Sequence, residues 1–218
     1  MSFSKQQINF FQKSILLWYA EYGRHFPWRN KSSTNYERII SEVLLQRTKA
    51  ETVAKFFPNF ILKYPSWKQL GNAKEAELQS FLFPLGLYKQ RGTRLFKLAQ
   101  ELKKRKGRFP SLRHEVEEFS LMGQYITNAF ELFILKHPSP LLDVNMARVL
   151  ERFFGPRKLI DIRYDSYLQG LAKKVVDHSK SIEINWAILD FGALICIAKK
   201  PKCHICIFKH ICNYFNKL

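Results

Sequence analysis

With 218 residues, 46% hydrophobic and 25% charged, the chain is long and apolar enough to bury a core without staples and too apolar to be disordered. No apolar run approaches the roughly 20 residues that cross a bilayer, and the start Met1-Ser2-Phe3-Ser4-Lys5 lacks an apolar signal core, so the expected location is the cytoplasm. Thirty-six Lys and Arg against 18 Asp and Glu leave a net charge of +18, which calls for a polyanionic partner, nucleic acid ahead of an anionic membrane surface.

Residues 5–22 carry Phe10, Phe11, Ile15, Leu16, Trp18 and Tyr19 at helical spacing, and Gly23 follows as a stop. The loop Arg24-His25-Phe26-Pro27-Trp28-Arg29-Asn30 leads to a helix from about Tyr36. Further helices are expected over roughly 50–63, 66–71, 74–83, 88–105, 111–120, 124–136, 145–154, 164–178 and 182–197, separated by Pro or Gly. No period-2 strand series, repeat or low-complexity tract stands out, so the expected class is all-α. The basic run Lys103-Lys104-Arg105-Lys106-Gly107-Arg108 reads equally well as a solvated helix end or a phosphate contact.

All four cysteines lie near the C-terminus, Cys196, Cys203, Cys206 and Cys212, spaced C-x6-C-x2-C-x5-C. Disulfides are disfavoured in a reducing compartment. A zinc site built from two C-x2-C knuckles is the usual alternative. A single C-x2-C with lone cysteines on either side suits a short loop wrapped round a compact cluster. His204 and His210 lie inside the loop and read as surface residues, because four thiolates already close a site.

This spacing, preceded by Leu189-Asp190-Phe191-Gly192-Ala193-Leu194-Ile195, resembles the iron–sulfur loop of the endonuclease III/MutY superfamily of DNA glycosylases. The resemblance implies a [4Fe–4S] cluster held by Cys196, Cys203, Cys206 and Cys212. It also implies a loop whose lysines, Lys199, Lys200, Lys202 and Lys209, face DNA phosphates, with Lys199 and Lys200 the first candidates. The implied reaction is cleavage of an N-glycosidic bond. That reaction needs a flipped-out nucleotide, assistance to the departing base and a carboxylate near the sugar carbon.

Ile39-Ile40-Ser41-Glu42-Val43-Leu44-Leu45-Gln46-Arg47-Thr48 puts Ile39, Ile40, Val43 and Leu44 on one helix face, with Glu42 and Gln46 at i, i+4 on its flank. Taken alone, Glu42 reads as a surface carboxylate. The string is similar to the Ser-Glu-Val-Met-Leu-Gln-Gln-Thr of MutY-type adenine glycosylases, whose Glu protonates the excised base, and Arg47 is the residue of archaeal thymine-mismatch enzymes. In Pro140-Leu141-Leu142-Asp143-Val144-Asn145-Met146-Ala147-Arg148-Val149-Leu150, Asp143 reads as a helix N-cap. In the superfamily, the Asp before a helix containing Arg-Val is the catalytic aspartate.

Phe119-Ser120-Leu121-Met122-Gly123-Gln124-Tyr125-Ile126 stands where relatives have the hairpin Leu-Pro-Gly-Val-Gly-x-(Lys/Ser/Tyr)-Thr. Tyr125 replaces the lysine that forms a Schiff base in lyases, so the resemblance implies a monofunctional enzyme with Tyr125 in the catalytic set. Gly123 and Gln124 are implied DNA contacts, whereas Leu121 in place of Gly implies a distorted hairpin or a weaker phosphate grip. Leu85-Gly86-Leu87-Tyr88 resembles the loop that wedges the duplex, with Leu87 the wedge and Gln46 filling the vacated space. Arg24 and Phe26-Pro27-Trp28-Arg29 match the MutY-type N-terminal segment.

The implied architecture is a two-lobed helix-hairpin-helix fold. Residues 30–138 form a central lobe with a degenerate hairpin; 1–29 plus 139–218 form the cluster lobe, with the loop at 196–212 and Asp143 in the cleft between lobes. The implied function is excision of T or U opposite G from double-stranded DNA by a nucleoid-associated monomer. Removal of adenine stands second, because the chain stops at Leu218 without the domain with which MutY-type enzymes recognise 8-oxoguanine. Excision of a modified base, in repair or in defence against foreign DNA, and a non-catalytic DNA-binding role are the other readings.

Overall fold

The structure, a computed structural model, describes residues 4–217; Met1, Ser2 and Phe3 of the start read above for a signal core lie outside the described residues, as does Leu218. Eleven α-helices are assigned among the described residues, with no strand: α1 (Lys5–Tyr22), α2 (Asn35–Leu45), α3 (Ala50–Lys63), α4 (Trp67–Leu70), α5 (Glu75–Phe81), α6 (Tyr88–Lys104), α7 (Arg113–Glu117), α8 (Gln124–Phe130), α9 (Val144–Phe154), α10 (Ser166–Val176) and α11 (Ser181–Leu194). The expected all-α class is what the chain adopts. The chain divides into two compact units, His25–Ile134 and a second built from the chain up to Arg24 and from Leu135 onward.

In the discontinuous unit, the Ser4 side chain caps α1 by accepting from the Gln7 N–H at 3.1 Å. Ile8, Phe11, Ile15 and Trp18 then fall on one face at helical spacing and pack with residues of α9, α10 and α11. The helix stops at Gly23 for want of room and not for want of a positive φ. Gly23 has φ −61°, but a Cβ there would lie 2.5 Å from the Tyr19 carbonyl oxygen. The next residue is pinned to α11: Asp190, fully buried, accepts from Arg24 N at 2.8 Å and Arg24 Nε at 2.9 Å, with Nη2 at 2.8 Å.

The continuous unit begins with Phe26 stacked on Trp28 at 4.8 Å, and Trp28 meets Phe57 of α3 edge-on. A capping box starts α2: Thr34 Oγ1 accepts from the Glu37 N–H, and the Glu37 carboxylate accepts from the Thr34 N–H. Burial of Tyr36, Ile39, Ile40, Val43 and Leu44 makes α2 the central rod of this unit, packed on α3 and α8. Three elements are shorter than their apolar spacing suggested, because α4, α5 and α7 run only four, seven and five residues. The segment expected as one helix over 124–136 is α-helical to Phe130 and then widens into a π-turn over Glu131–Leu135.

Candidate active site

Glu42 lies in the last turns of α2 and is 3% exposed. The reading of Glu42 as a surface carboxylate therefore fails. Its partner is non-local: the Tyr125 hydroxyl donates to Glu42 Oε2 at 2.8 Å, across 83 residues of sequence. A carboxylate buried in a helix-packed site is tolerated only where such donors meet it. Tyr125 is in turn fixed by its place at the start of α8.

The segment before α8 closes in a hydrogen-bonded turn. The Met122 N–H donates to the Phe119 carbonyl at 3.1 Å, closing a turn over Ser120 and Leu121. Leu121, third in that turn, has φ +70°. That is the region a type II turn demands at this position and that Gly or Asn usually fills. Leu121 thus holds a strained conformation that a glycine would adopt freely. Gly123, exposed, has φ −69° and no atom within 4 Å of where its Cβ would stand, so nothing inside the protein requires a glycine there. Gln124 opens α8 beside it, and the Thr127 hydroxyl donates back to the Met122 carbonyl at 2.9 Å, locking the turn to the helix.

Gln46 departs from its expected register. The helix ends at Leu45, and Gln46 is the C-cap with φ −56° and ψ 113°, so it does not continue the Glu42 flank by one helical turn. Arg47 follows, exposed and left-handed at φ +56°. Leu87 is left-handed too, at φ +50°, and 50% exposed at the N-cap of α6, with Gly86 before it at φ +70°. An exposed leucine on a strained turn is not a core residue; strain of this kind concentrates at functional sites.

In the other unit, Asp143 is the N-cap of α9, as its sequence position suggested. Its Oδ1 accepts from the Asn145 and Met146 N–H groups at 2.8 Å each, and its Oδ2 accepts from Asn145 Nδ2 at 2.7 Å. Burial pushes the Asp143 carboxyl above the usual aspartate value, against the opposing pull of these hydrogen bonds and of Arg148. The network continues along α9. Arg148 Nη2 donates to Asn145 Oδ1 at 2.9 Å and to the Gly192 carbonyl at 2.7 Å, and Arg148 Nε donates to the Cys196 carbonyl at 2.8 Å. One helical turn on, Arg152 reaches Cys196 Sγ at 3.5 Å and the carbonyls of Ile197 and Ala198 at 2.8 and 3.0 Å, with its guanidinium over the Tyr214 ring.

Sequence reasoning gave these two arginines no part in holding the loop, although their i, i+4 spacing on a helix leading from Asp143 was visible. It also missed Phe208. This apolar residue of a basic loop is 2% exposed and stacks on Phe11 at 4.8 Å against Phe153 and Phe191, tying the loop to the core. His204 and His210 are exposed, as expected, and so are Lys199 and Lys200, the latter left-handed at φ +52°.

The four cysteines are free and partly buried. Burial, together with the other cysteines, pushes the Cys206 thiol up to about 11, and burial raises Cys196 against the pull of Arg152 and Arg148. Four thiolates do not coexist in such a place without a bound cation to compensate them, which is what a metal cluster supplies. The Phe208 N–H, 3.4 Å from Cys206 Sγ, is oriented to donate to a sulfur ligand. Among the described residues no three His, Cys, Asp or Glu side chains converge as ligands of one ion do. Four cysteine sulfurs on one short loop are a donor set of the kind that holds an iron–sulfur cluster.

Residues 40–162, more than half of the chain, match the HhH-GPD superfamily of base excision DNA repair proteins. This chain belongs to that superfamily. Among HhH-GPD proteins, the thymine-DNA glycosylase of Aeropyrum pernix is 33% identical over 217 residues, covering 97% of both chains. The thymine/uracil-DNA glycosylase of Pyrobaculum aerophilum is 33% identical over 95% of this chain and 92% of its own. The solved structure of a thermostable thymine-DNA glycosylase superposes with a TM-score of 0.89 over 98% of both chains at 29% identity. Residues 196–212 match the iron–sulfur binding domain of endonuclease III, and this HhH-GPD protein carries its iron–sulfur cluster there. Cys196, Cys203, Cys206 and Cys212 are the residues that would hold it.

Proposed function

We propose that this HhH-GPD protein is a monofunctional DNA glycosylase that removes T or U opposite G, the products of cytosine and methylcytosine deamination. The coarser statement is secure: it is a DNA N-glycosylase of base excision repair. The finer one is carried by a single observation, the Tyr125 hydroxyl donating to Glu42. Tyrosine at that hairpin position cannot form a Schiff base, so the strand is left intact after the base departs. The relatives named for thymine and uracil excision support the choice of base.

In this reading, water attacks the sugar C1′ as the C1′–N bond breaks and its electron pair leaves with the base. Asp143, ionised and aimed by Asn145, stabilises the oxocarbenium character of the sugar and takes the proton from the attacking water. Glu42, held by Tyr125, assists departure of the base. Glu42 and the hairpin fall within the lobe expected over 30–138, and Asp143 within the lobe expected over 1–29 with 139–218. Leu87 and Gln46 occupy the space of the extruded nucleotide. Arg47, Gly123, Gln124, Lys199 and Lys200 grip the DNA backbone.

The test is single-turnover base release from labelled duplexes carrying G·T, G·U, A·G, A·8-oxoguanine and common modified bases, with and without alkali, beside Asp143→Asn. The expected result is alkali-dependent cleavage of G·T and G·U alone, absent in the variant. Release of adenine or of a modified base instead, or cleavage without alkali, overturns the assignment.

A further inference from the structure

Arg91, in the first turn of α6, is 4% exposed, yet it is no part of the chemistry described above. Its guanidinium faces neutral oxygens from two separate turns. Nη2 donates to the Gln46 carbonyl at 2.6 Å and to Thr48 Oγ1 at 2.9 Å, while Nη1 donates to the Gly86 carbonyl at 3.0 Å and the Leu85 carbonyl at 3.3 Å. Thr48 Oγ1 also stands 3.2 Å from the Leu85 carbonyl, a second tie between the same turns. Burial lowers the Arg91 pKa, and among the described residues no carboxylate pairs with its charge.

A cation buried without a counter-ion is costly and is retained only where its geometry does something that apolar packing cannot. Here it joins the two strained turns of this unit that carry Gln46 and Leu87. One presents Gln46 and left-handed Arg47; the other presents Gly86 and left-handed Leu87. The planar fork of arginine offers rigid, divergent donors, and lysine's single ammonium does not reproduce them.

We propose that Arg91 is a positioning residue for nucleotide extrusion, fixing the separation of the Gln46 and Leu87 turns so that both enter the duplex as one two-pronged insert. The proposal rests on the reading that Leu87 and Gln46 occupy the vacated space. Ångström-scale misplacement of such a group costs up to about 100-fold in rate. The loss falls on extrusion and not on the grip of phosphates.

The test uses the full-length, cluster-loaded protein with Arg91→Lys, Thr48→Val and Leu87→Ala. Extrusion is followed by 2-aminopurine fluorescence beside the target base. Single-turnover rates are measured on a paired G·U duplex and on the same duplex with an abasic analogue opposite U, where extrusion is nearly free. Expected for Arg91→Lys is a loss of about tenfold or more in rate and fluorescence amplitude on G·U. The loss should be much smaller on the abasic-paired duplex, with affinity for undamaged DNA unchanged. Equal losses on both substrates mean that Arg91 merely supports the fold, and no loss on G·U likewise overturns the proposal. If Arg91→Lys does not fold, Thr48→Val carries the same comparison at smaller amplitude. Leu87→Ala separates the two levels: if it leaves extrusion intact, the insertion reading fails, whereas if it impairs extrusion and the Arg91 and Thr48 variants do not, only the positioning role fails.

Discussion

Replacing Leu121 by Gly and by Ala isolates the backbone cost of the hairpin. Both substitutions remove the same partly buried side chain, worth about 1 kcal/mol at half burial. They differ only in the Cβ that the left-handed conformation penalises. At φ +70° an alanine carries about 1–2 kcal/mol of strain that glycine does not. Glycine gives back about 0.5–1 kcal/mol through the larger entropy of its unfolded chain. The glycine variant should therefore be the more stable of the pair by about 0.5–1 kcal/mol, or roughly 2 °C in Tm for a chain of this size. Relative to the parent, Leu121→Ala should lose about 1 kcal/mol, whereas Leu121→Gly should stay close to it. Urea melts of the two variants, monitored by helical circular dichroism, provide the measurement. An alanine variant as stable as the glycine variant would mean that the turn over Ser120 and Leu121 does not hold a positive φ.

Three further outcomes follow from the same geometry. Asp143→Asn keeps a good N-cap for α9 but should cost at least about 100-fold in base release. Because a carboxyl with a raised folded pKa adds stability below its unfolded value and loses it as pH rises through the folded value, the variant should melt above the parent at pH 7. That advantage should shrink as pH falls towards about 4, as scanning calorimetry across that range would record. Gly123→Ala should leave the unfolding free energy of the free protein within about 0.5 kcal/mol of the parent, given the open space around it, yet weaken duplex binding in a titration at fixed salt. Arg152→Ala removes the donors that hold Cys196, Ile197 and Ala198. Absorbance near 400 nm should then decay several-fold faster under a chelator, while an unchanged decay would show that the loop does not depend on α9.

Local signals in the sequence mapped well onto local structure. Periodicity and Gly23 delimit α1, and Asp143 reads as a cap because an Asp before an apolar helix serves its own N–H groups. What stayed hidden was set by distant partners. Nothing near Glu42 announces that Tyr125 will meet it, so its burial contradicts the residue-level expectation. Nothing near Arg91 shows that its acceptors lie at residues 46 and 48. Gln46 lost the helical register with Glu42 because α2 ends at Leu45, in a turn held by that same arginine. The positive φ of Leu121 was not legible either, because leucine is a residue type disfavoured there.

The unit built around α1 is discontinuous in sequence, and its synthesis is therefore split in time. Helix α1 emerges from the ribosome first, but the groups that cover Phe11, Ile15 and Trp18 arrive last, and Arg24 finds Asp190 only after another 166 residues. The continuous unit is complete in the nascent chain well before that and is free to fold around α2 while α1 waits. Loading of the iron–sulfur loop thus coincides with closure of the core by Phe208. A translation arrest upstream of the cysteines would release a chain with one finished unit and one exposed apolar helix, a natural target for chaperones and proteases.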